Sequence, residues 1–116
     1  MNGETKKLNL VRSPTQGGDM ADYIFLMHDD AAMEAAQSWE DYIRKLMDGG
    51  WFEGGSVIGN GVCMRKNGAA PPVTAHVVGY IRVNARDIAH AQSLLSGNPH
   101  FEAGGTVEIR ELPRTG

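Results

Sequence analysis

Five consecutive apolar residues, Tyr23-Ile24-Phe25-Leu26-Met27, limit what this chain can fold into more than any other stretch of it. A short, unbroken apolar run of this kind forms a central β-strand buried on both faces. His28-Asp29-Asp30 ends the run and offers a helix N-cap. The pattern downstream supplies the strand's neighbours and its cover.

Trp39, Tyr42, Ile43, Leu46 and Met47 recur at spacings of three and four, which places five large residues on one helix face. Ser38 with Asp41 three residues on resembles a capping box and marks where the regular helix starts. Gly49-Gly50 ends it, because a left-handed cap suits glycine. Trp51 to Ile58 reads as a second strand, with a further stretch around Val62-Cys63-Met64; the glycines at 59 and 61 predict an irregular or bulged edge. Residues 66–72 are loop by composition. Thr74 to Val83 alternates: Ala75, Val77, Gly79, Ile81 and Val83 face one way, and Thr74, His76, Val78, Tyr80 and Arg82 the other. Asp87 caps a second helix with Ile88, Ala91 and Leu95 inside and Gly97 just past its end. Asn98-Pro99-His100-Phe101 and Gly104-Gly105 connect to a last strand, Thr106 to Leu112, with Val107 and Ile109 on one face and Glu108 and Arg110 on the other.

The order is strand, helix, strand, strand, helix, strand: an α+β, ferredoxin-like βαββαβ unit with an antiparallel four-stranded sheet. Both helices cover one face of that sheet. The bare face carries His76, Val78, Tyr80, Arg82, Glu108 and Arg110, part apolar and part charged, and the expected cover is a second copy of the chain in a dimeric α+β barrel. At 116 residues there is room for one domain and no second core, and association adds the burial that a small domain lacks. Residues 1–19 are polar and end at a Gly-Gly pair, so they are expected to be a flexible leader ahead of a domain spanning 20–113.

Composition removes several functional classes. The net charge is −3, both signs are scattered, and no basic run exceeds Lys6-Lys7, which argues against nucleic acid or an anionic membrane as the main partner. No stretch approaches the ~20 apolar residues of a membrane span. Cys63 is the single cysteine, so no disulfide within the chain and no thiolate cluster can form, and a reducing cytoplasm is the expected compartment. Residues 49–61 are glycine-rich without a GxGxxG or P-loop pattern, so no nucleotide is expected.

Several stretches resemble the YCII-related family, in particular its DGPF-type branch. Tyr23 to Asp30 is similar to that family's first strand and acidic exit. Leu46 to Ile58, with Gly49, Gly50, Gly54, Gly55 and Ser56, resembles its helix-end, glycine and second-strand segment. Gly79 to Ala91 is similar to its third strand, cap and second helix, and Asn98 to Phe101 with Gly104 to Arg110 resembles its closing turn and Arg-bearing strand. The match runs from Met20 to Pro113. Members with a proposed enzymatic role carry a first-helix histidine that works with an aspartate; counting back from Gly49, that position is Ser38 here. Asn98 stands where many members have Asp, and the Asp-Gly-Pro-Phe tetrapeptide is missing. The resemblance therefore implies a fold more firmly than a reaction.

The candidate chemistry is borne by few side chains. His28, beside Asp29 and Asp30, is a candidate general base, since a carboxylate orients an imidazole and raises its pKa; otherwise it is a solvated loop histidine. His76 is a candidate catalytic or anion-binding residue, or an interface histidine. Tyr80, Arg82, Glu108 and Arg110 are candidate ligand-binding residues; an arginine fork suits a ligand carboxylate, and a cross-strand salt bridge is the plainer account. His100 reads as a turn residue near the cleft, His90 as solvated, Cys63 as a buried or edge hydrophobe. No pair of histidines has the i, i+4 spacing of a helical metal motif, so no metal and no cofactor are expected. Two functions remain. One is a small-molecule binding or sensor module; the other is a cofactor-independent acid-base enzyme that acts on a small metabolite in a dimer cleft with His28 or His76 as proton carrier.

Overall fold

A computed structural model describes residues 20–114, so the expected leader lies outside the described residues. Seven elements follow in order: β1 (Ala21–His28), α1 (Trp39–Asp48), β2 (Phe52–Val57), β3 (Val77–Ala85), α2 (Ile88–Ser93), α3 (Pro99–Glu102) and β4 (Val107–Leu112). The strands form one antiparallel sheet in the order β2-β3-β1-β4, the order expected of a ferredoxin-like unit. No helix among the described residues is long and apolar enough to cross a membrane.

The apolar run of β1 is central, paired with β3 on one side and β4 on the other. Its alternation splits it between two environments. Tyr23, Phe25 and Met27 are buried beneath the helices, in register with Val83, Ile81 and Gly79 of β3. Ile24 and Leu26 point to the other face and are half-buried, so within one chain the strand is covered on one face only. Both helices lie on the Phe25 side. Tyr42 and Leu46 of α1, Ala91 of α2 and Leu95 just beyond it join Tyr23, Phe25, Ile81 and Val83 in a single core cluster.

Local chemistry accounts for the helix ends. The Ser38 hydroxyl accepts from the Asp41 amide and caps α1 where the sequence places its start. At the other end the Gly50 amide donates to the Met47 carbonyl and the Trp51 amide to the Leu46 carbonyl, with φ of +79° at Gly50; this is a Schellman closure, and the left-handed residue is glycine because a Cβ would strain it. Asp87 caps α2 by accepting from the His90 amide. The connection expected at Asn98 contains α3 instead. Asn98 is fully buried and caps it, with Pro99 at the first helical position, where a missing N–H costs nothing.

Other departures have local causes. Residues 58–76 contain no strand, and Val62 and Met64 are exposed, so the second stretch is part of a long connection. The irregularity expected at 59 and 61 falls between Phe52 and Gly54. Thr74, Ala75 and His76 precede the ladder rather than joining it. Cys63 is exposed on the long connection, not buried. On α1, Met47 turns outward and Trp39 stays 42% exposed, because the first turn overhangs the glycine-bearing strand β2. Ile88 is exposed as the first residue of α2, while Ala91 carries the packing.

Leu46 is 1% exposed at the centre of the helix–sheet contact. Leu46→Ala is expected to cost about 2–5 kcal/mol through lost burial and the cavity left behind. Urea denaturation checks this, and a loss below about half a kilocalorie would assign the packing to another face of α1.

Candidate functional site

Two places bring chemistry together, one on each face of the sheet. On the open face, the registers array the predicted site residues around Ile24 and Leu26. Tyr80 and Glu108 flank Leu26 from opposite sides, and Arg82 and Arg110 flank Ile24. With strands about 4.8 Å apart, each flanking pair is separated by about 10 Å of backbone. The Arg110 Nη1 donates to Glu108 Oε2 at 3.0 Å, so this pair is an ion pair along one strand. Among the described residues Arg82 has no ion-pair partner.

His28 sits at the end of this array. Its Nε2 is 2.9 Å from Glu108 Oε1, so the carboxylate that orients it is Glu108 rather than Asp29 or Asp30. The His28 hydrogen bond, then the Arg110 hydrogen bond, hold the Glu108 carboxyl below its ordinary range. An ionised carboxylate can only accept, so His28 Nε2 carries the hydrogen and Nδ1 is the basic position. The His76 ring stands edge-on to His28, with centroids 5.1 Å apart. His76 thus joins His28 and not Arg82; about 20 Å of extended chain separates it from Arg82.

The exit of β1 is clamped. Asp30 Oδ1 accepts from the Thr106 amide at 2.7 Å and Oδ2 from the Thr106 hydroxyl at 2.6 Å, which ties the end of β1 to the start of β4. Those two bonds, ahead of the charges of His100 and His28, lower the Asp30 pKa. His100 Nε2 lies 3.9 Å from Asp30 Oδ1; it is buried and has no hydrogen-bond partner among the described residues.

The second place lies between α1 and the sheet. A cavity of about 380 Å³ has Met27, Gly55, Gly79 and Ile81 as its floor, Trp39, Ile43, Phe52 and Val57 around it, and His100 among its lining residues. Its cause is the pair of glycines. Gly55 lies in register with Ile81, and Gly79 with Val57 and Met27, so two adjacent rows of the helix-facing sheet surface each lack a side chain. A Cβ at Gly55 would sit 2.7 Å from the Tyr80 carbonyl oxygen, which holds that position to glycine. Residue types alone signalled Trp39 and His100 without placing them in one hollow. The missing signal was the glycines: Gly79 reads as an inward strand position and Gly55 as part of the second-strand segment, and neither reads as an empty floor.

His90, expected in solvent, is half-buried. Its ring meets Trp51 edge-on at 4.5 Å and its Nδ1 accepts from the Arg86 amide, while burial, then Arg86, lowers its pKa. Among the described residues no group of three or more His, Cys, Asp or Glu side chains is placed to hold a metal ion. No family model matches the chain, and no curated protein matches it.

The Asp30 clamp has a pH signature. Its pKa is lowered in the folded protein, so its stabilising contribution is complete above the unfolded value of about 4 and is lost as pH falls through the folded value. Thr106→Val removes the hydroxyl donor. Melting curves at neutral pH are expected to place this variant below the parent protein, and the gap should narrow as the pH falls below about 4 and Asp30 takes up its proton. A gap that persists unchanged in acid would assign the loss to packing instead.

Proposed function

We propose that this chain is a small-molecule binding module of the YCII-related type that works as a homodimer. The cavity beneath α1 carries the reading, because a concave, largely apolar hollow of this size with a few polar groups is the usual form of a small-molecule site. The stretches that resemble the family supply its lining: Phe52, Gly55 and Val57 from the glycine segment, Gly79 and Ile81 from the third strand, His100 from the closing turn.

The dimer forms through the open sheet face, giving the α+β barrel. Half-buried Ile24 and Leu26 at the centre, with Tyr80, Arg82, Glu108 and Arg110 around them, have the apolar-centre, polar-rim composition of an interface. Covering that face also completes the burial that the apolar run of β1 calls for. The second reading, a cofactor-independent acid-base enzyme, draws on the His28–Glu108 pair: Nδ1 of His28 would take the proton, Glu108 would steady the imidazolium, and Arg82 would hold a ligand anion. Ser38 in place of the family's helix histidine favours binding over catalysis.

Two measurements test this. Light scattering at micromolar concentration should give the mass of two chains, and Leu26→Glu should give one; a parent protein that is already monomeric refutes the dimer. In a small-molecule library screened by amide NMR, binders should shift the Trp39 indole, Ile43 and Gly79 signals together. Binders that move only His28 and His76 would replace the binding module with the acid-base enzyme.

A further inference from the structure

The cavity beneath α1 also limits what can enter it. Resting on the reading that this hollow is the binding site, we propose that its ligand is an uncharged, flat aromatic compound about the size of a fused two-ring system.

Charge comes first. Among the described residues, no Asp, Glu, Lys or Arg lines the cavity. A carboxylate or phosphate placed there would lose its hydration and meet no counter-charge, which is prohibitive for a small ligand. Arg82, which has no ion-pair partner among the described residues, and the ion pair of Glu108 and Arg110 all belong to the opposite face of the sheet, where Arg82 and Arg110 flank Ile24. Phosphorylated metabolites and dianions are thereby excluded from this hollow.

Shape comes second. The floor is flat because Gly55 and Gly79 contribute no side chains to it, and α1 cannot descend to fill the gap while Tyr42 and Leu46 already rest on the core. A flat slot with aromatic walls favours offset or edge-on ring contacts. Trp39 and Phe52 provide those walls, and Trp39 is 42% exposed at the rim, so part of its indole is uncovered. Size comes third. A dry cavity of about 150 Å³ takes one benzene, and about 380 Å³ therefore takes two fused rings with a small substituent.

Polar contact for that substituent is limited. Ser56 spends its hydroxyl on the Val57 carbonyl at 2.9 Å. Tyr80 sits on the open-face row with Leu26 and Glu108. His100 is left as a lining residue, although its Nε2 is closed off against Gly105 and is not open to a ligand. An uncharged hydroxyl group is the most polar substituent such a lining suits, and further polar groups would go unpaired.

The experiment compares naphthalene-2-methanol with naphthalene-2-carboxylate, two probes that share one ring system and differ in charge, by calorimetric titration of the full chain. The alcohol should bind with a dissociation constant of tens of micromolar, about what a ligand of this size achieves, and the carboxylate at least ~10-fold more weakly. Gly79→Val places a branched side chain on the floor, where a Cβ has room at 3.4 Å from Met27 Cε, and should weaken the alcohol ~10-fold or more. Should that variant fail to fold, Trp39→Ala at the half-exposed rim gives the same test and should weaken the alcohol ~5-fold. Equal binding of both probes, lost on either substitution, would overturn the ligand class and leave the cavity as the site. Alcohol binding indifferent to both substitutions would overturn the cavity itself. No heat from either probe at millimolar concentration would overturn the aromatic class, while the library screen decides the site separately.

Discussion

The double pairing of β1 is the constraint on which the rest of the domain depends. Because β3 and β4 both bond to it, the two strand-helix-strand halves of the chain must interleave. Because its side chains alternate, one face must carry Tyr23, Phe25 and Met27 into the core and the other must leave Ile24 and Leu26 outside it. The helices follow from the first requirement and the open face from the second. The Asp30–Thr106 clamp fixes where the strand stops, and so sets which residues reach the end of the sheet where His28, His76 and His100 gather.

The architecture was largely legible because it rests on short-range signals. Ser38, Asp87 and the Gly49-Gly50 pair mark helix ends through bonds to neighbours three to five residues away, and the structure uses all of them. The face assignment from Gly79 to Val83 was legible for the same reason, since period-two alternation is a property of the strand itself: Gly79, Ile81 and Val83 face the core, with Tyr80 and Arg82 opposite. It fails at Val78, which packs against the core where the register with β1 shifts. Where the reading failed, the deciding contact was distant in sequence. Nothing near residues 62–64 says that β3 has no further partner to offer them, and nothing near Asn98 says that it will be buried deeply enough to cap a helix turn.

The candidate sites divide along the same line. That His28 would be oriented by a carboxylate follows from its strand exit; that the carboxylate would be Glu108 required the β1–β4 register. Arg82 and His76 were expected on one strand face, yet distance along the chain separates them and the sheet end gives His76 to His28. The cavity was the least legible feature. It arises from side chains that Gly55 and Gly79 lack, and a pattern search weights the residues that are present.

The long connection at 58–76 divides the chain into a piece with β1, α1 and β2 and a piece with β3, α2, α3 and β4. Laid against the sheet order β2-β3-β1-β4, the pieces alternate at every position, so neither contains two adjacent strands. A protease cut after Arg65 would therefore produce fragments with no ladder of their own, and every strand-to-strand hydrogen bond of the sheet would become a contact between separate molecules. Such fragments have no folded state to reach singly; they regain the domain only as a complementing pair. For the intact chain, the same arrangement means that no half of the sheet can form during folding before both ends of the connection have met.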